Sequence, residues 1–135
     1  MFDWVQKKYA NTVLKPYLLW YLKKERTTTV RGFHLTIKPT VFHPKYFFSS
    51  TYLFDFVSTL NLTNKHFLEI GCGSGLISLL AHSMNAQVTA CDINDVAIDC
   101  TELNFKKNVG KESRNVTILK SDLFDSIPLS KFDTI

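Results

Sequence analysis

The residues of this chain whose types and spacing could do chemistry are carboxylates and glycines. In Phe67-Leu68-Glu69-Ile70-Gly71-Cys72-Gly73-Ser74-Gly75 a short apolar run ends in an acid, and three glycines follow at alternate positions. Leu76-Ile77-Ser78-Leu79-Leu80-Ala81 then opens a helix-period pattern. Strand, glycine turn and helix is the grammar of a nucleotide site at the carboxyl edge of a parallel sheet. Without Cβ atoms, Gly71, Gly73 and Gly75 let the backbone turn sharply and bring its N–H groups close to a ligand. A dinucleotide fingerprint reads G-x-G-x-x-G, whereas this stretch reads E-x-G-x-G-x-G. A glycine turn of purely structural use is the plainer alternative.

Two more acids fall into place with the first. Gln87-Val88-Thr89-Ala90-Cys91-Asp92 reads as the next strand, and Asp92 ends it 17 residues after Gly75. A carboxylate there takes both ribose hydroxyls in a bidentate hydrogen bond, and Ile93 would lie against the adenine face. This alone does not say which nucleotide is bound. Asn115–Lys120 reads as a third strand, followed by Asp122 and Leu123. Successive parallel strands bring their carboxyl ends to one edge, so Glu69, Asp92 and Asp122 are expected to face one crevice. A metal site is the rival reading of three acids; with no histidine beside them, none is expected.

The elements that must position these residues are legible from periodicity. Residues 3–25 read as a helix that Pro16 should kink or split. A helix packed on the domain is expected, a lid or substrate-docking arm being the alternative. Thr28–Arg31 and Phe33–Ile37 are β-rich and separated by Gly32. Ser49, Ser50 and Thr51 are candidate caps for a helix over about 51–60, and Asp95 is the candidate cap for one over about 95–108. His43 and His34 read as a loop and a strand histidine, not as bases.

The 135 residues are one domain's length, with 45% hydrophobic and 21% charged residues, as in ordinary globular proteins. The net charge of +4 is uneven: residues 1–66 hold ten Lys/Arg against three Asp/Glu, residues 67–135 six against nine. A basic front on an acidic nucleotide half permits a nucleic-acid substrate without requiring one. Cys72, Cys91 and Cys100 form no metal-type pair and suggest reduced thiols; Cys72 should pack inside the turn. The longest N-terminal apolar run, Tyr17–Leu22, is too short to span a bilayer and lacks a cleavage site, so a cytoplasmic protein without membrane contact is expected.

The stretch Glu69–Gly75 resembles motif I of the class I S-adenosylmethionine (SAM) dependent methyltransferases. SAM carries no pyrophosphate and offers an ammonium and a sulfonium, to which an acid at the strand end is suited. The resemblance implies that Glu69 lies beside the methionine moiety, that Gly71, Cys72, Gly73 and Gly75 form the cofactor turn, and that Asp122, with Leu123, meets the adenine amino group. Val41–Thr51 resembles the approach to motif I in a branch that includes the release-factor glutamine methyltransferases and several rRNA and tRNA base methyltransferases. The branch's acid-threonine pair is replaced here by Ser49–Thr51, and no catalytic residue is assigned.

Lys131–Ile135 resembles the opening of a fourth strand, which in that branch leads into N-P-P-[YF]. The fold implied is α/β, the N-terminal half of a Rossmann-like methyltransferase sheet with strands in the order 3-2-1-4. Residues 1–50 would form a helical and β extension and residues 51–135 the incomplete SAM-binding half. A truncated enzyme is expected: SAM-dependent N-methylation of a macromolecular amide or base amine by the full-length parent, with this chain inactive alone. Self-association through the fourth strand or the N-terminal helix is expected too. The competing functions are an NAD-type oxidoreductase and a non-catalytic cofactor-binding or interaction module.

Overall fold

The computed structural model describes residues 10–110 and 113–135. The first part of the helix expected over residues 3–25 lies outside the described residues. Its remainder is a π-helical turn, Ala10–Leu14, running into α1 (Lys15–Leu22). Pro16 stands in the first turn of α1, where it has no N–H to donate back into the π-helical turn, and Leu14, where the two meet, keeps helical dihedrals (φ −69°, ψ −44°). The helix changes its winding just before the proline and does not separate into two.

The expected packing is only partial. Of the periodic apolar positions among the described residues, Leu18 and Tyr21 are half-buried, whereas Val13, Leu14 and Tyr17 are exposed. Much of the core is covered by a hairpin. Strands β1 (Arg26–Val30) and β2 (Phe33–Ile37) pair antiparallel, with Val30 opposite Phe33. Arg31 and Gly32 both take positive φ, 50° and 88°, as a two-residue hairpin turn with right-handed strand twist demands. Leu35 and Ile37 of β2 enter the same buried cluster as Phe54, Phe67, Leu79 and Phe105.

The central sheet is parallel. β3 (His66–Ile70), β4 (Gln87–Asp92) and β5 (Val116–Lys120) lie in the order β3-β4-β5. On the free side of β3, Phe67 makes a parallel bridge to Thr134, whose carbonyl accepts from the Leu68 N–H at 2.9 Å. The Asp133 carboxylate accepts from the His66 N–H at 2.8 Å at the same edge.

Three helices complete the fold: α2 (Phe48–Ser58), α3 (Leu76–Ser83) and α4 (Asp95–Asn108). α2 packs on α3, while α3 and α4 cover β4. Two helix starts differ from expectation. α2 begins at Phe48, so Ser49, Ser50 and Thr51 lie inside its first turn; Phe47, extended at φ −120°, precedes it without any side-chain cap. The cap of α4 is Asn94, whose side chain accepts from the Val96 N–H at 3.0 Å. Asp95 is instead the acid of the first turn, favourable there against the helix dipole, and it pairs with Lys120 at 2.8 Å. Among the described residues, no helix is long and apolar enough to cross a membrane.

Two asparagines one turn apart on α4 hang the hairpin on the domain. The Asn104 carboxamide accepts from the Thr36 N–H at 2.7 Å and donates to the carbonyls of Thr36 and Ser74, each at 2.9 Å. Asn108 repeats the pattern on His34, accepting at 2.9 Å and donating at 2.8 Å. Each amide stands in for a neighbouring strand, satisfying the edge that β2 would otherwise bury unpaired. Asn104 is wholly buried, so removing it strands the Thr36 N–H and the Ser74 carbonyl where water does not reach, the Thr36 carbonyl keeping the Cys100 thiol at 3.0 Å. We expect Asn104→Leu to lower stability by about 3 kcal/mol, read as a fall in urea midpoint at unchanged m-value. Asp99→Ala, which breaks only the exposed 3.4 Å pair with Lys38, should change it by less than about 0.5 kcal/mol.

Candidate functional site

The glycine turn leaves β3 at Ile70 and enters α3 at Leu76. Gly71, Gly73 and Gly75 have φ of 80°, 53° and 78°, left-handed values that side-chain-bearing residues rarely hold. At Gly75 space is limiting as well. A Cβ there would come within 2.8 Å of Thr101 Cγ2 on α4, so the third glycine lets α4 close over the turn.

The turn is tied down from below. The Cys91 carbonyl, near the end of β4, accepts from the N–H groups of Gly71 at 2.8 Å and Cys72 at 2.9 Å. The Asp92 carboxylate accepts from the Gly73 N–H with one oxygen and the Asn94 N–H with the other, both at 3.0 Å. The Gly75 N–H goes to the Cys72 carbonyl at 2.7 Å. Four of the five amides between residues 71 and 75 are thus engaged within the protein.

A cavity opens beside this turn. Glu69, Gly71, Cys72, Gly73 and Ser74 form one wall, and Phe42, Pro44, Ser49, Ser50 and Leu53 face them. The Glu69 carboxylate accepts a short hydrogen bond from the Ser78 hydroxyl, on the first turns of α3. Burial pushes the Glu69 carboxyl up to about 7; the side chain and backbone of Ser78 pull it down, and the charge of Asp92 raises it further. Burial likewise pushes the Cys72 thiol up to about 12, and Thr101 donates to its sulfur at 3.3 Å. Cys72 is packing inside the turn and is not a nucleophile at neutral pH.

Of the residues singled out from sequence, Glu69, Gly71, Cys72 and Gly73 come together on the cavity wall. Gly75 stands behind it, against Thr101. Asp92, Ile93, Asp122 and Leu123 lie at the ends of β4 and β5, outside the lining of this cavity, so the three acids share a sheet edge but not one enclosed pocket. Ile93 and Leu123 are exposed there, and the Leu123 carbonyl accepts from the Ser121 hydroxyl at 2.9 Å. His43 is a buried loop residue whose ring burial holds below its ordinary basicity, aided by Lys45, and His34 sits on β2 bonded to Thr29. Among the described residues, no group of three His, Cys, Asp or Glu is placed to hold a metal ion.

Sequence reasoning missed Ser78 and the opposite wall. The signal for Ser78 was present: a lone hydroxyl within Leu76-Ile77-Ser78-Leu79-Leu80, nine residues after an acid, has to bond something when its helix is buried. Phe42, Ser50 and Leu53 carry no such mark.

The family profile for "Methyltransferase small domain" matches residues 32–135. A Methanocaldococcus jannaschii protein, provisionally named a protein N5-glutamine methyltransferase, is 31% identical over 107 residues, 78% of this chain and 50% of that protein. The release factor glutamine methyltransferase of Rhodopirellula baltica is 45% identical over 71 residues, 50% of this chain and 23% of that protein. The chain thus spans half or less of these relatives. Among solved structures, the tRNA (uracil-54, C5)-methyltransferase of Pyrococcus abyssi, in complex with S-adenosyl-L-homocysteine, superposes with a TM-score of 0.63. The match has 18% identity and covers 82% of this chain and 27% of that one. At that identity the likeness is one of fold.

The raised carboxyl of Glu69 has a stability consequence. Between its ordinary value of 4.5 and about 7, the folded chain binds a proton that the unfolded chain has released. Stability contributed by this group therefore falls as pH rises through that window and levels off above it. Glu69→Gln should remove this part of the slope in denaturation midpoints measured from about pH 5 to 8. Ser78→Ala should move the Glu69 midpoint above 7 in carboxyl-labelled NMR titration; an unmoved midpoint would show that the hydroxyl does not govern the acid.

Proposed function

We propose, from the fact that this chain belongs to the methyltransferase small domain family, that it holds S-adenosylmethionine over the glycine turn and serves methyl transfer to a macromolecular nitrogen. The observation that carries the reading is the pairing of two properties in one wall. The turn's amides are engaged internally, so they offer little to a pyrophosphate. The same wall presents a carboxyl, Glu69, that receives a hydroxyl but no cation. A ligand without phosphate and with positive charge suits both properties; a nicotinamide dinucleotide suits neither.

In this reading Glu69 meets the methionine end, with Gly71, Cys72 and Gly73 lining the bend and Gly75 keeping α4 close. Asp92, held by the Gly73 and Asn94 amides, turns its remaining lone pairs to the ribose hydroxyls. Ile93 lies against the adenine, and Asp122 and Leu123 meet its edge. Residues 51–135 form the cofactor-binding half, and residues 1–50 an extension whose hairpin shares the core. The single bridge from Thr134 to Phe67 supports a fourth strand beside β3, which would give the order 3-2-1-4.

When bound, the cofactor supplies a methyl group on a positively charged sulfur. The chain's part is positioning: the turn and Glu69 fix one end, the β4 edge the other, and the loop bearing Phe42 and Pro44 excludes water from between. The acceptor is an amide or base amine of a protein or an RNA. A neutral nitrogen lone pair held in line needs no strong base.

Calorimetric titration with S-adenosylmethionine, S-adenosylhomocysteine and NADH tests the proposal. The two sulfur ligands should bind and NADH should not; preference for NADH would overturn the reading. Binding of a cation favours the ionised form of Glu69, so affinity for either sulfur ligand should rise up to about tenfold per pH unit below 7 and level off above it. Glu69→Gln should weaken binding and flatten that profile, whereas Asp92→Ala should weaken binding and keep a pH-dependent profile whose break moves to lower pH, since the Asp92 charge helps raise Glu69.

A further inference from the structure

The N-terminal segment carries aromatic and cationic residues that the cofactor site does not use. Tyr17, Trp20 and Tyr46 are 57%, 54% and 43% exposed. They belong to one run of rings. Tyr17 lies 6.1 Å from Trp20 and 6.2 Å from Tyr21; Tyr21 meets Tyr46 edge-on at 5.7 Å, and Tyr46 meets His43 at 4.6 Å. Cations are seated on the run. The Arg26 guanidinium is 4.2 Å from the centre of the Tyr21 ring, and the Lys24 ammonium 5.5 Å from that of Trp20. The run ends at the loop whose Phe42 and Pro44 wall the cavity opposite Glu69. Residues 10–50 hold seven Lys/Arg (Lys15, Lys23, Lys24, Arg26, Arg31, Lys38, Lys45) against one acid, Glu25.

We propose that this run of rings and cations is a docking track for a single-stranded nucleic acid, leading it to the mouth of the cavity. The destination rests on the methyl-transfer reading; the binding does not. Charge complementarity chooses the occupant. Rings on which bases stack, interleaved with cations that neutralise phosphates, are what a single strand requires. Tyrosine, tryptophan and arginine are at home in protein interfaces as well, but a protein partner would also have to bury Lys23 and Lys24 beside the rings, and lysine is depleted there. Of the seven cations, Arg31 and Lys38 pair with Asp55 and Asp99 away from the rings, which leaves Lys15, Lys23, Lys24, Arg26 and Lys45 beside the run. Stacking on tyrosine and tryptophan is tolerant of sequence, so the track would select single strands over duplexes and not one base over another.

Fluorescence anisotropy of labelled oligouridylate and oligothymidylate of about 15 nucleotides with the full chain, from about 20 to 300 mM salt, tests this. We expect binding of either strand whose affinity falls with salt, and at least about fivefold weaker binding of a duplex of the same length. The two oligonucleotides separate RNA from DNA as the source of the strand. Trp20→Ala should weaken binding about tenfold, and Lys23→Ala with Lys24→Ala should lower the salt slope by about 1.4. S-adenosylhomocysteine affinity should be unchanged in these variants, which also reports that they fold. With Trp4→Phe leaving Trp20 as the sole tryptophan of two, its fluorescence should be quenched by the strand. Cofactor binding without strand binding, or strand binding indifferent to Trp20 and to salt, overturns the proposal. Salt-insensitive self-association abolished by Trp20→Ala, with no strand bound, also overturns it and gives the face to a protein partner. Strand binding without cofactor binding leaves the track standing and removes the methyl-transfer reading instead.

Discussion

Two adjacent residues at the end of β4 hold the rest of the site in place. Cys91 accepts two amides of the glycine turn through one carbonyl, and Asp92 accepts a third through its carboxylate. These bonds cross from one strand of the sheet to the loop leaving its neighbour. They fix the bend where β3 turns into α3, and so they fix the direction in which Glu69 faces. They also decide what the turn can recognise. An amide already donating to a short, well-aligned acceptor is poorly available to a ligand. A glycine-rich turn of the usual phosphate-binding kind keeps its amides open; this one has closed three of its five onto its own sheet and a fourth onto itself.

The same turn is held from above by α4. Thr101 covers Gly75 and donates to the Gly73 carbonyl at 3.1 Å, while Asn104, one turn on, donates to the Ser74 carbonyl. Asn104 then binds both backbone groups of Thr36 on β2. One helix face thus links glycine turn and hairpin through buried hydrogen bonds, in a low-dielectric setting where each is costly to break. The N-terminal extension is therefore not a loose appendage at its hairpin. β2 is part of what keeps the turn rigid, through Asn104, whose side chain touches both.

Much of this was legible in the sequence, and the limits are physical. The parallel strands and the turn between β3 and α3 follow from apolar runs ending in acids and from glycines at alternate positions, which few other folds use. A turn at Gly32 followed from a glycine between β-rich runs, but Arg31, read with the first run, belongs to the turn. Helix starts were less secure. Ser49 to Thr51 are good cap residues by type, but the approach loop enters α2 earlier, at Phe48, and a local signal does not report where a loop arrives. Likewise Asn94 outranked Asp95 because the chain leaving Asp92 is extended at Asn94, which frees its side chain to reach forward. The sharing of one sheet edge by Glu69, Asp92 and Asp122 was readable from strand succession. Their division between a cavity wall and an open rim was not, because it depends on Phe42 and Leu53 arriving from another part of the chain.

The N-terminal segment shows why apolar content alone misleads. Val13, Leu14 and Tyr17 belong to a stretch whose spacing fits a core-facing helix, and burial was the natural expectation, yet they are exposed together with Trp20. A core has finite surface, however, and here α2 and β2 had already covered it with Phe54, Val57, Leu35 and Ile37. What distinguishes the surplus rings from merely unburied ones is their company. A helix left over from packing would show its rings bare, whereas here Lys24 and Arg26 lie over ring faces and Tyr46 carries the contact back to the approach loop. Lys24 over the exposed Trp20 ring is retained at little desolvation cost while water has access, and becomes worth more when a polyanion displaces that water; Arg26, over the half-buried Tyr21, is already partly withdrawn from water. The buried half of the extension thus serves the glycine turn, and its exposed half presents a surface whose charge and aromaticity are organised outward.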